Sequence, residues 1–244
     1  MKKLYQKNEL TFALVWIGIY VAGTCAAETL TETIGVFKLV PAVFHIALAV
    51  FAYCWLKRNG LMEKYGLFLP RYPLARAWFF LPLLLVAGYK LFFSPALRYS
   101  PMDTLLFIAS MLGVGFLEEL IFRGFLFRAI EKESLTRAIV ISSVTFGIGH
   151  IVNLLNGQDP FETFCQVIVA VIIGFALVIL FHKGRSLVPC IVFHGLFNSL
   201  SVISNEEAQF RALGGAFSAA VILTVFCAAV LGAWSLWNWK CLEE

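Results

Sequence analysis

The sequence predicts an all-α, polytopic integral membrane protein of about eight transmembrane helices. Of the 244 residues, 60% are hydrophobic and 14% are charged, whereas apolar residues make up roughly 45–50% of a soluble domain. The apolar residues form stretches of roughly 17–28 residues, and a helix of that length crosses a hydrocarbon core of about 30 Å. The predicted spans are residues 10–27, 36–56, 77–93, 104–122, 138–155, 163–181, 187–203 and 212–239. They occupy most of the chain, so residues 1–244 are expected to form a single membrane domain.

The positions of the Lys and Arg residues agree with this order of spans. An even number of spans places both termini on one side, and cytoplasmic segments carry an excess of Lys and Arg. If the termini are cytoplasmic, that side holds 15 of the 19 basic residues, namely Lys2, Lys3, Lys7, Lys57, Arg58, Lys64, Arg71, Arg76, Arg123, Arg128, Lys132, Arg137, Lys183, Arg185 and Lys240. The other side holds four, Lys38, Lys90, Arg98 and Arg211. The sequence therefore predicts cytoplasmic termini, in the plasma membrane if the source is bacterial. The net charge of +4 reflects this orientation, and nucleic-acid binding is not expected.

Ionisable residues inside a predicted span are the first indication of function, because a charge in hydrocarbon costs about 2.5–3.5 kcal/mol on insertion scales. The fourth span ends in Glu118-Glu119-Leu120-Ile121-Phe122-Arg123. In an α-helix, Glu119 and Arg123 lie on one face at i,i+4 and form an ion pair. Glu118 points about 100° away and has no partner nearby in the sequence. The pattern favours one structural carboxylate and one general base, but an acidic pair at the membrane interface would look the same.

Two histidines and an asparagine lie at similar depths in other spans. His150 ends the segment Phe146-Gly147-Ile148-Gly149-His150, and His194-Gly195-Leu196-Phe197-Asn198 places an imidazole and a carboxamide on one helix face. At about 1.5 Å per residue, His150 lies about 20 Å from the cytoplasmic end of its span, His194 about 13 Å and Glu118 about 15 Å. A single buried histidine is commonly a packed core residue. Taken together, the four residues predict one polar cavity within the membrane.

Three motifs in this order resemble those of the CPBP family, which contains the CAAX proteases and bacteriocin-processing enzymes. They are Glu-Glu-x-x-x-Arg at Glu118, Glu119 and Arg123, Phe-x-x-x-His at Phe146 and His150, and His-x-x-x-Asn at His194 and Asn198. The segment Arg185-Ser186-Leu187-Val188-Pro189, which enters the last motif helix, also resembles the family. The resemblance covers about residues 103–201. The rest of the chain shares only the eight-helix architecture.

The resemblance implies that the protein hydrolyses a peptide bond inside the membrane. Glu118 together with His150 would activate a water molecule, and His194 and Asn198 would donate hydrogen bonds to the oxyanion of the tetrahedral intermediate. Glu119 and Arg123 would support the helix that carries Glu118. The implied substrate is a membrane-associated protein or peptide, such as a prenylated C-terminus or a bacteriocin precursor. Membrane lipids are the other partner expected.

The sequence leaves the cofactor undefined. Glu118, His150 and His194 form a two-His, one-Glu set of the kind that holds catalytic zinc with one open position. The sequence lacks the HExxH motif, and its six cysteines include no CxxC pair. Zinc is therefore a candidate, and we favour a metal-free mechanism.

Two other functions are compatible with buried Glu and His residues. Proton-coupled transporters use such residues as proton relays, although this chain shows no obvious internal repeat with paired interrupted helices. A non-catalytic membrane protein of the bacteriocin-immunity type would use the same fold. The Glu118→Gln substitution separates the three functions, because it would abolish cleavage, abolish gradient-driven uptake or have no effect, respectively.

Overall fold

The computed structural model describes residues 1–70 and 79–240, and within these ranges the chain forms helices and no strand. The α-helices are α1 (Lys2–Lys7), α2 (Glu9–Ile34), α3 (Leu39–Arg58), α4 (Leu81–Gly88), α5 (Pro101–Glu118), α6 (Phe127–Glu131), α7 (Leu135–Gly149), α8 (Pro160–Gly184), α9 (Val188–Ser199), α10 (Glu206–Leu213) and α11 (Ala216–Lys240). A π-helix at Glu119–Leu126 joins α5 to α6. Shorter 3₁₀ segments follow three α-helices, at Tyr89–Phe92, His150–Asn156 and Leu200–Ile203. The predicted all-α fold class is confirmed.

Fewer helices than predicted are long enough to cross a membrane. Among the described residues, six are long and apolar enough, and the number is seven if one bent pair forms a single span. The six are Glu9–Ile34, Leu39–Arg58, Pro101–Glu131, Leu135–Leu155, Pro160–Gly184 and Ala216–Lys240. In the bent pair, Val188–Ile203 meets Glu206–Leu213 at 89°. The predicted span 77–93 corresponds to the shorter apolar helix Leu81–Phe92, and its first two residues lie outside the described residues. The chain is thus a polytopic integral membrane protein, but the number eight is not confirmed.

Ion pairs join several predicted cytoplasmic segments at one end of the bundle. The Nζ atoms of Lys64, after α3, and Lys132, after α6, lie 2.8 Å and 2.7 Å from Glu9 Oε1 at the start of α2. Burial alone would lower the pKa of Lys64, but hydrogen bonds to Glu9 and Tyr5 outweigh it and raise the pKa above its usual value. These segments therefore meet at a common end, as alternating spans require. Which side of the membrane this end faces stays a prediction.

One basic residue lies away from the surface to which the predicted topology assigns it. Arg123, assigned to a cytoplasmic connection, is fully buried within the long helix Pro101–Glu131. That assignment is wrong because the ion pair with Glu119 allows Arg123 to stay inside the protein. Lys90, assigned to the opposite side, lines a cavity, and its side of the membrane stays a prediction.

A close contact between two glycines brings α5 against α9. A Cβ atom added to Gly115 would lie 2.6 Å from the backbone nitrogen of Gly195 and 2.8 Å from its Cα, so there is no space for a side chain. Small residues allow such close backbone approach between membrane helices. Because Glu118 follows Gly115 by three residues and His194 precedes Gly195, this contact determines how near the two functional side chains lie.

The hydrophobic core surrounds the π-helix. All eight residues of Glu119–Leu126 are buried, and the Phe125 ring makes edge contacts with the rings of Phe12 and Tyr65 at 5.0 Å between centroids. Many large apolar side chains on other helices are exposed, including Val43, Leu81 and Val192. This distribution is expected where lipid, instead of water, surrounds the outer faces. The motif carrying Glu118 therefore lies near the centre of the bundle.

Candidate active site

The helix that carries Glu118 changes its hydrogen-bonding pattern at that residue. α5 ends at Glu118 and continues as the π-helix, in which backbone bonds run from residue i to i+5. The hydroxyl of Ser142 on α7 donates a 2.8 Å hydrogen bond to the carbonyl of Phe122 within this segment. Such π-helical segments frequently occur at functional sites. The Glu-Glu-x-x-x-Arg motif therefore lies across the junction of two helix types.

Glu119 and Arg123 form the predicted ion pair, and neither side chain is exposed. Arg123 Nη1 lies 2.9 Å from Glu119 Oε1, and the exposed fraction of both side chains is 0%. The guanidinium carbon of Arg123 also lies 4.1 Å from the centre of the Phe146 ring, a distance typical of a cation–π contact. The charge of Glu119 is thus balanced inside the protein, and the pair links the π-helix to α7.

His194 of α9 lies between the two adjacent carboxylates. Its Nδ1 atom is 2.7 Å from Glu119 Oε1, and its Nε2 atom is 3.4 Å from Glu118 Oε2. A carboxylate only accepts hydrogen bonds when ionised, so Nδ1 carries the hydrogen that points to Glu119. This contact orients the ring and directs Nε2 toward Glu118. Glu119 therefore positions His194 as well as Arg123, which extends the local supporting role expected from the sequence.

Glu118 has a second partner on a distant helix. The hydroxyl of Tyr20 on α2 donates a 2.7 Å hydrogen bond to Glu118 Oε1. Tyr20 itself is buried, while the side chain of Glu118 is 14% exposed. The two carboxylate oxygens consequently have different surroundings, with Oε1 bound by Tyr20 and Oε2 facing His194. A carboxylate held in this way has a defined orientation toward the cavity.

His150 lies across the cavity from Glu118 and does not contact it. Its Nδ1 atom donates a 3.2 Å hydrogen bond to the carbonyl of Phe146, which leaves Nε2 of the neutral ring as an acceptor. The Phe146 ring lies edge-on to both histidine rings, 5.3 Å from His150 and 5.6 Å from His194 between centroids. Phe146 thus separates the two imidazoles and contacts Arg123. Among the described residues, no ion pair joins His150 to Glu118.

Two adjoining cavities bring the predicted residues together. The first, about 490 Å³, is lined by Glu118, His150 and Asn198 together with Tyr20. The second, about 410 Å³, is lined by His150, His194 and Asn198. Since His150 and Asn198 belong to both, the cavities meet at these two side chains. The carboxamide of Asn198 makes no hydrogen bond with any other residue of the described ranges, so its donor and acceptor atoms are free to bind a ligand.

The arrangement does not form an evident metal centre. Within residues 1–70 and 79–240, no group of three or more His, Cys, Asp or Glu side chains is placed to hold a metal ion. His150 Nδ1 is bound by the Phe146 carbonyl, and both nitrogens of His194 face carboxylates. The candidate ligands Glu118, His150 and His194 therefore do not converge on one point.

The same part of the chain matches a known family. Residues 100–200 match the family model described as type II CAAX prenyl endopeptidase Rce1-like. Over these residues the chain is similar to the CPBP family of CAAX proteases. The matched segment begins just before α5 and ends in the 3₁₀ segment after α9, so it contains all three motifs. No curated protein and no solved structure matches the chain.

The family match and the long apolar helices support the same general function. They indicate an integral membrane protein similar to the CAAX-type intramembrane proteases. The match supports neither the transporter nor the immunity-type function. The matched residues include every side chain of the three motifs, namely Glu118, Glu119, Arg123, Phe146, His150, His194 and Asn198.

Tyr20 and Lys90 reach the cavities of this protein from outside the matched segment, and the sequence-based prediction missed both. Tyr20 lies 98 residues from Glu118 in sequence, and a tyrosine in an apolar span gives no signal of its own. Lys90 did give a signal, because an ionisable residue in an apolar helix marks function by default. It was instead counted among the four basic residues of the non-cytoplasmic side.

Proposed function

We propose that this protein is an endopeptidase acting on a membrane-associated protein or peptide, and that Glu118 activates the attacking water. The observation that supports the proposal is the orientation of the Glu118 carboxylate. Tyr20 binds one oxygen at 2.7 Å, and the other oxygen faces His194 and the cavity. A general base must lie within hydrogen-bond reach of the proton it removes, in a fixed geometry. Glu118 meets this requirement for a water molecule in the 490 Å³ cavity.

The proposed reaction begins with that water molecule. Glu118 removes a proton from it while His150 Nε2 accepts the hydrogen bond from its second proton. The resulting hydroxide attacks the carbonyl carbon of the peptide bond and forms a tetrahedral intermediate. His150 is suited to this role because its Nδ1 hydrogen is engaged by the Phe146 carbonyl, which leaves Nε2 unprotonated in the neutral ring.

The oxyanion of the intermediate would be bound by Asn198 and His194. Asn198 offers an NH₂ group with no protein acceptor among the described residues. His194 offers Nε2–H in its imidazolium form, in which Nδ1–H is held by Glu119. Preorganised donors of this kind stabilise charge that develops in the transition state. Glu118 then transfers its proton to the leaving nitrogen as the C–N bond breaks, giving a carboxylic acid and an amine.

We propose that this reaction is metal-free. The support is that no three His, Cys, Asp or Glu side chains of the described residues are placed to hold a metal ion, while His150 Nδ1 and His194 Nδ1 each contact another protein group. Elemental analysis of the purified, active protein tests this directly. One zinc per chain that is lost in His194→Ala, together with inactivation by chelators, would contradict it while leaving the protease function in place.

The substrate we propose ends in a prenylated cysteine followed by three residues, the CAAX pattern. The test is to incubate the full-length protein in lipid vesicles with such a peptide and to follow release of the C-terminal fragment by mass spectrometry. The wild type and the control Glu133→Gln, which changes an exposed carboxylate, should cleave the peptide. Glu118→Gln should not, although its fold is retained. Normal cleavage by Glu118→Gln would exclude this carboxylate as the base.

A further inference from the structure

A lysine in the interior of the protein faces the same cavity as the proposed catalytic residues. Lys90 lies in the 3₁₀ segment that follows α4, and it lines the 410 Å³ cavity that also contains His150, His194 and Asn198. Its ammonium group donates a hydrogen bond to the hydroxyl of Ser201. It also lies 4.9 Å from the centre of the Phe197 ring, within the range of a cation–π contact.

The charge of Lys90 has no carboxylate partner. Among the described residues, no Asp or Glu oxygen lies within ion-pair distance of its Nζ atom, although Lys38, Lys64 and Lys132 each have one. Glu206 and Glu162 belong to the wall of the same cavity, but Glu206 is exposed, Glu162 is half-buried, and neither forms an ion pair with Lys90. A hydroxyl and an aromatic ring compensate only partly for the loss of water around an ammonium group. The cavity therefore contains a cation that a bound anion would neutralise.

We propose that Lys90 binds the C-terminal carboxylate of the peptide substrate. The inference rests on the proposed function, because it requires a peptide whose scissile bond lies near Asn198 and His194. A peptide in that position extends along the cavity toward Lys90. The terminal carboxylate is the one anionic group that every such peptide carries. Its single negative charge matches Lys90, the only Lys or Arg among the described residues that line this cavity.

The separation of the two sites limits where the peptide is cleaved. Ser201, which binds Lys90, follows Asn198 by three residues, or about 5–6 Å along the helix axis at 1.5–2.0 Å per residue. The carboxylate lies beyond Ser201, on the far side of the ammonium group. An extended peptide covers about 3.3–3.6 Å per residue. The bond cleaved should therefore lie only a few residues from the C-terminus, and Lys90 should select chain ends over internal sites.

Two peptides that differ in one group test this assignment. Both contain a prenylated cysteine and three following residues, and one ends in a carboxylate while the other ends in a carboxamide. We expect the wild type to cleave the acid with a kcat/KM about 10- to 100-fold higher, as for a hydrogen bond to a charged group. Lys90→Met, which keeps the length of the side chain without the charge, should reduce this ratio to about 1. Lys90→Arg should retain part of it.

The control variant is Lys183→Met, which removes a half-buried lysine that lines neither cavity. It should leave the ratio unchanged. An equal rate for acid and amide in the wild type would overturn the proposal, and so would a ratio that survives in Lys90→Met.

A binding measurement distinguishes failure of this proposal from failure of the proposed function. Affinity for the same two peptides is measured with the Glu118→Gln protein, in which cleavage is not required. Tighter binding of the acid, lost when Lys90→Met is added, supports the carboxylate site even if neither peptide is cleaved. Equal binding of the two peptides, or no binding of either, excludes it.

Discussion

His194 and Glu119 are joined by a 2.7 Å contact between Nδ1 and Oε1, although 75 residues separate them in sequence. The same oxygen lies 2.9 Å from Arg123, so one buried carboxylate oxygen has both a hydrogen-bond donor and a counter-charge. The opposite side of the imidazole faces Glu118. Two adjacent glutamates therefore have different environments, one enclosed by positive or donor groups and one open to a cavity. This difference supports the proposed roles, structural for Glu119 and catalytic for Glu118.

The buried carboxylate should matter for stability and the open one for activity. Glu119→Ala leaves the Arg123 guanidinium buried without its counter-charge, and breaking such a pair costs about 3–5 kcal/mol. Thermal unfolding in detergent should therefore show a large decrease in Tm for Glu119→Ala. Glu118→Gln, which keeps the volume of a partly exposed side chain, should unfold close to the wild type while losing cleavage. A stable, inactive Glu119→Ala beside an active Glu118→Ala would mean that the two roles are exchanged.

Removing the hydroxyl of Tyr20 should slow the reaction without unfolding the protein. Tyr20→Phe loses the hydrogen bond to Glu118 Oε1, so the carboxylate can rotate away from the water it activates. A hydrogen bond to a charged group is worth about 1.5–3 kcal/mol, and we expect kcat to fall about 10-fold with little change in KM. Steady-state kinetics on a prenylated peptide measures the effect. The matched control is Tyr53→Phe, at an exposed tyrosine, and an equal effect there would argue against positioning by Tyr20.

Asn198→Ala tests the oxyanion site. If the carboxamide donates only to developing negative charge, kcat should fall by about 10²–10³, as for the loss of one oxyanion donor. Binding of the substrate should change little, because the interaction strengthens mainly in the transition state. Single-turnover rates and a separate binding measurement distinguish these two quantities. Weaker binding with unchanged single-turnover chemistry would instead assign Asn198 to substrate recognition.

The contact between α5 and α9 should not tolerate a methyl group. In Gly115→Ala the new Cβ would lie 2.6 Å from the backbone of Gly195, which forces the helices apart. Overpacking of this kind costs about 1–3 kcal/mol, and the shift would also increase the distance from Glu118 to His194. We expect a lower Tm and reduced cleavage in Gly115→Ala. Gly232→Ala is the control, since no atom lies within 4 Å of its added Cβ.

The predicted orientation can be tested by labelling single cysteines from each side of the membrane. Residue 63 follows α3 and residue 158 precedes α8, and the predicted topology places them on opposite sides with both termini in the cytoplasm. Glu63→Cys should react with an impermeant reagent from the cytoplasmic side, and Gln158→Cys from the other. Labelling of both from one side would remove the basis for placing the termini together in the cytoplasm.

The parts of the site that the sequence predicted follow from residue spacing within helices and from depth in the membrane. The ion pair between Glu119 and Arg123 follows from i,i+4 spacing, and it forms even though the segment is a π-helix. Three of the four residues predicted to share one polar cavity, Glu118, His150 and Asn198, line the same cavity. Both inferences depend only on distances along a single helix and on the thickness of the membrane.

Contacts between helices that are far apart in the sequence could not be predicted from such patterns. Nothing in the sequence indicates that His194 Nδ1 selects Glu119 or that Tyr20 binds Glu118, because each depends on how two helices rotate when packed. The predicted number of spans is not confirmed for a related reason. Apolar composition identified 77–93 and 187–203 as spans, but it cannot show that α4 is short or that the chain bends sharply between α9 and α10.

The short helices have a consequence for the surrounding bilayer. Leu81–Phe92 is only about 20 Å long at 1.5–2.0 Å per residue, and it packs beside α9, whose own apolar segment ends at Ile203. A hydrocarbon core is about 30 Å thick, so lipid along this edge must thin to match the protein. A thinner bilayer shortens the distance that the backbone of a lipid-anchored peptide must travel to reach the cavity. Hydrophobic mismatch would thus deform the membrane along the edge formed by α4 and α9.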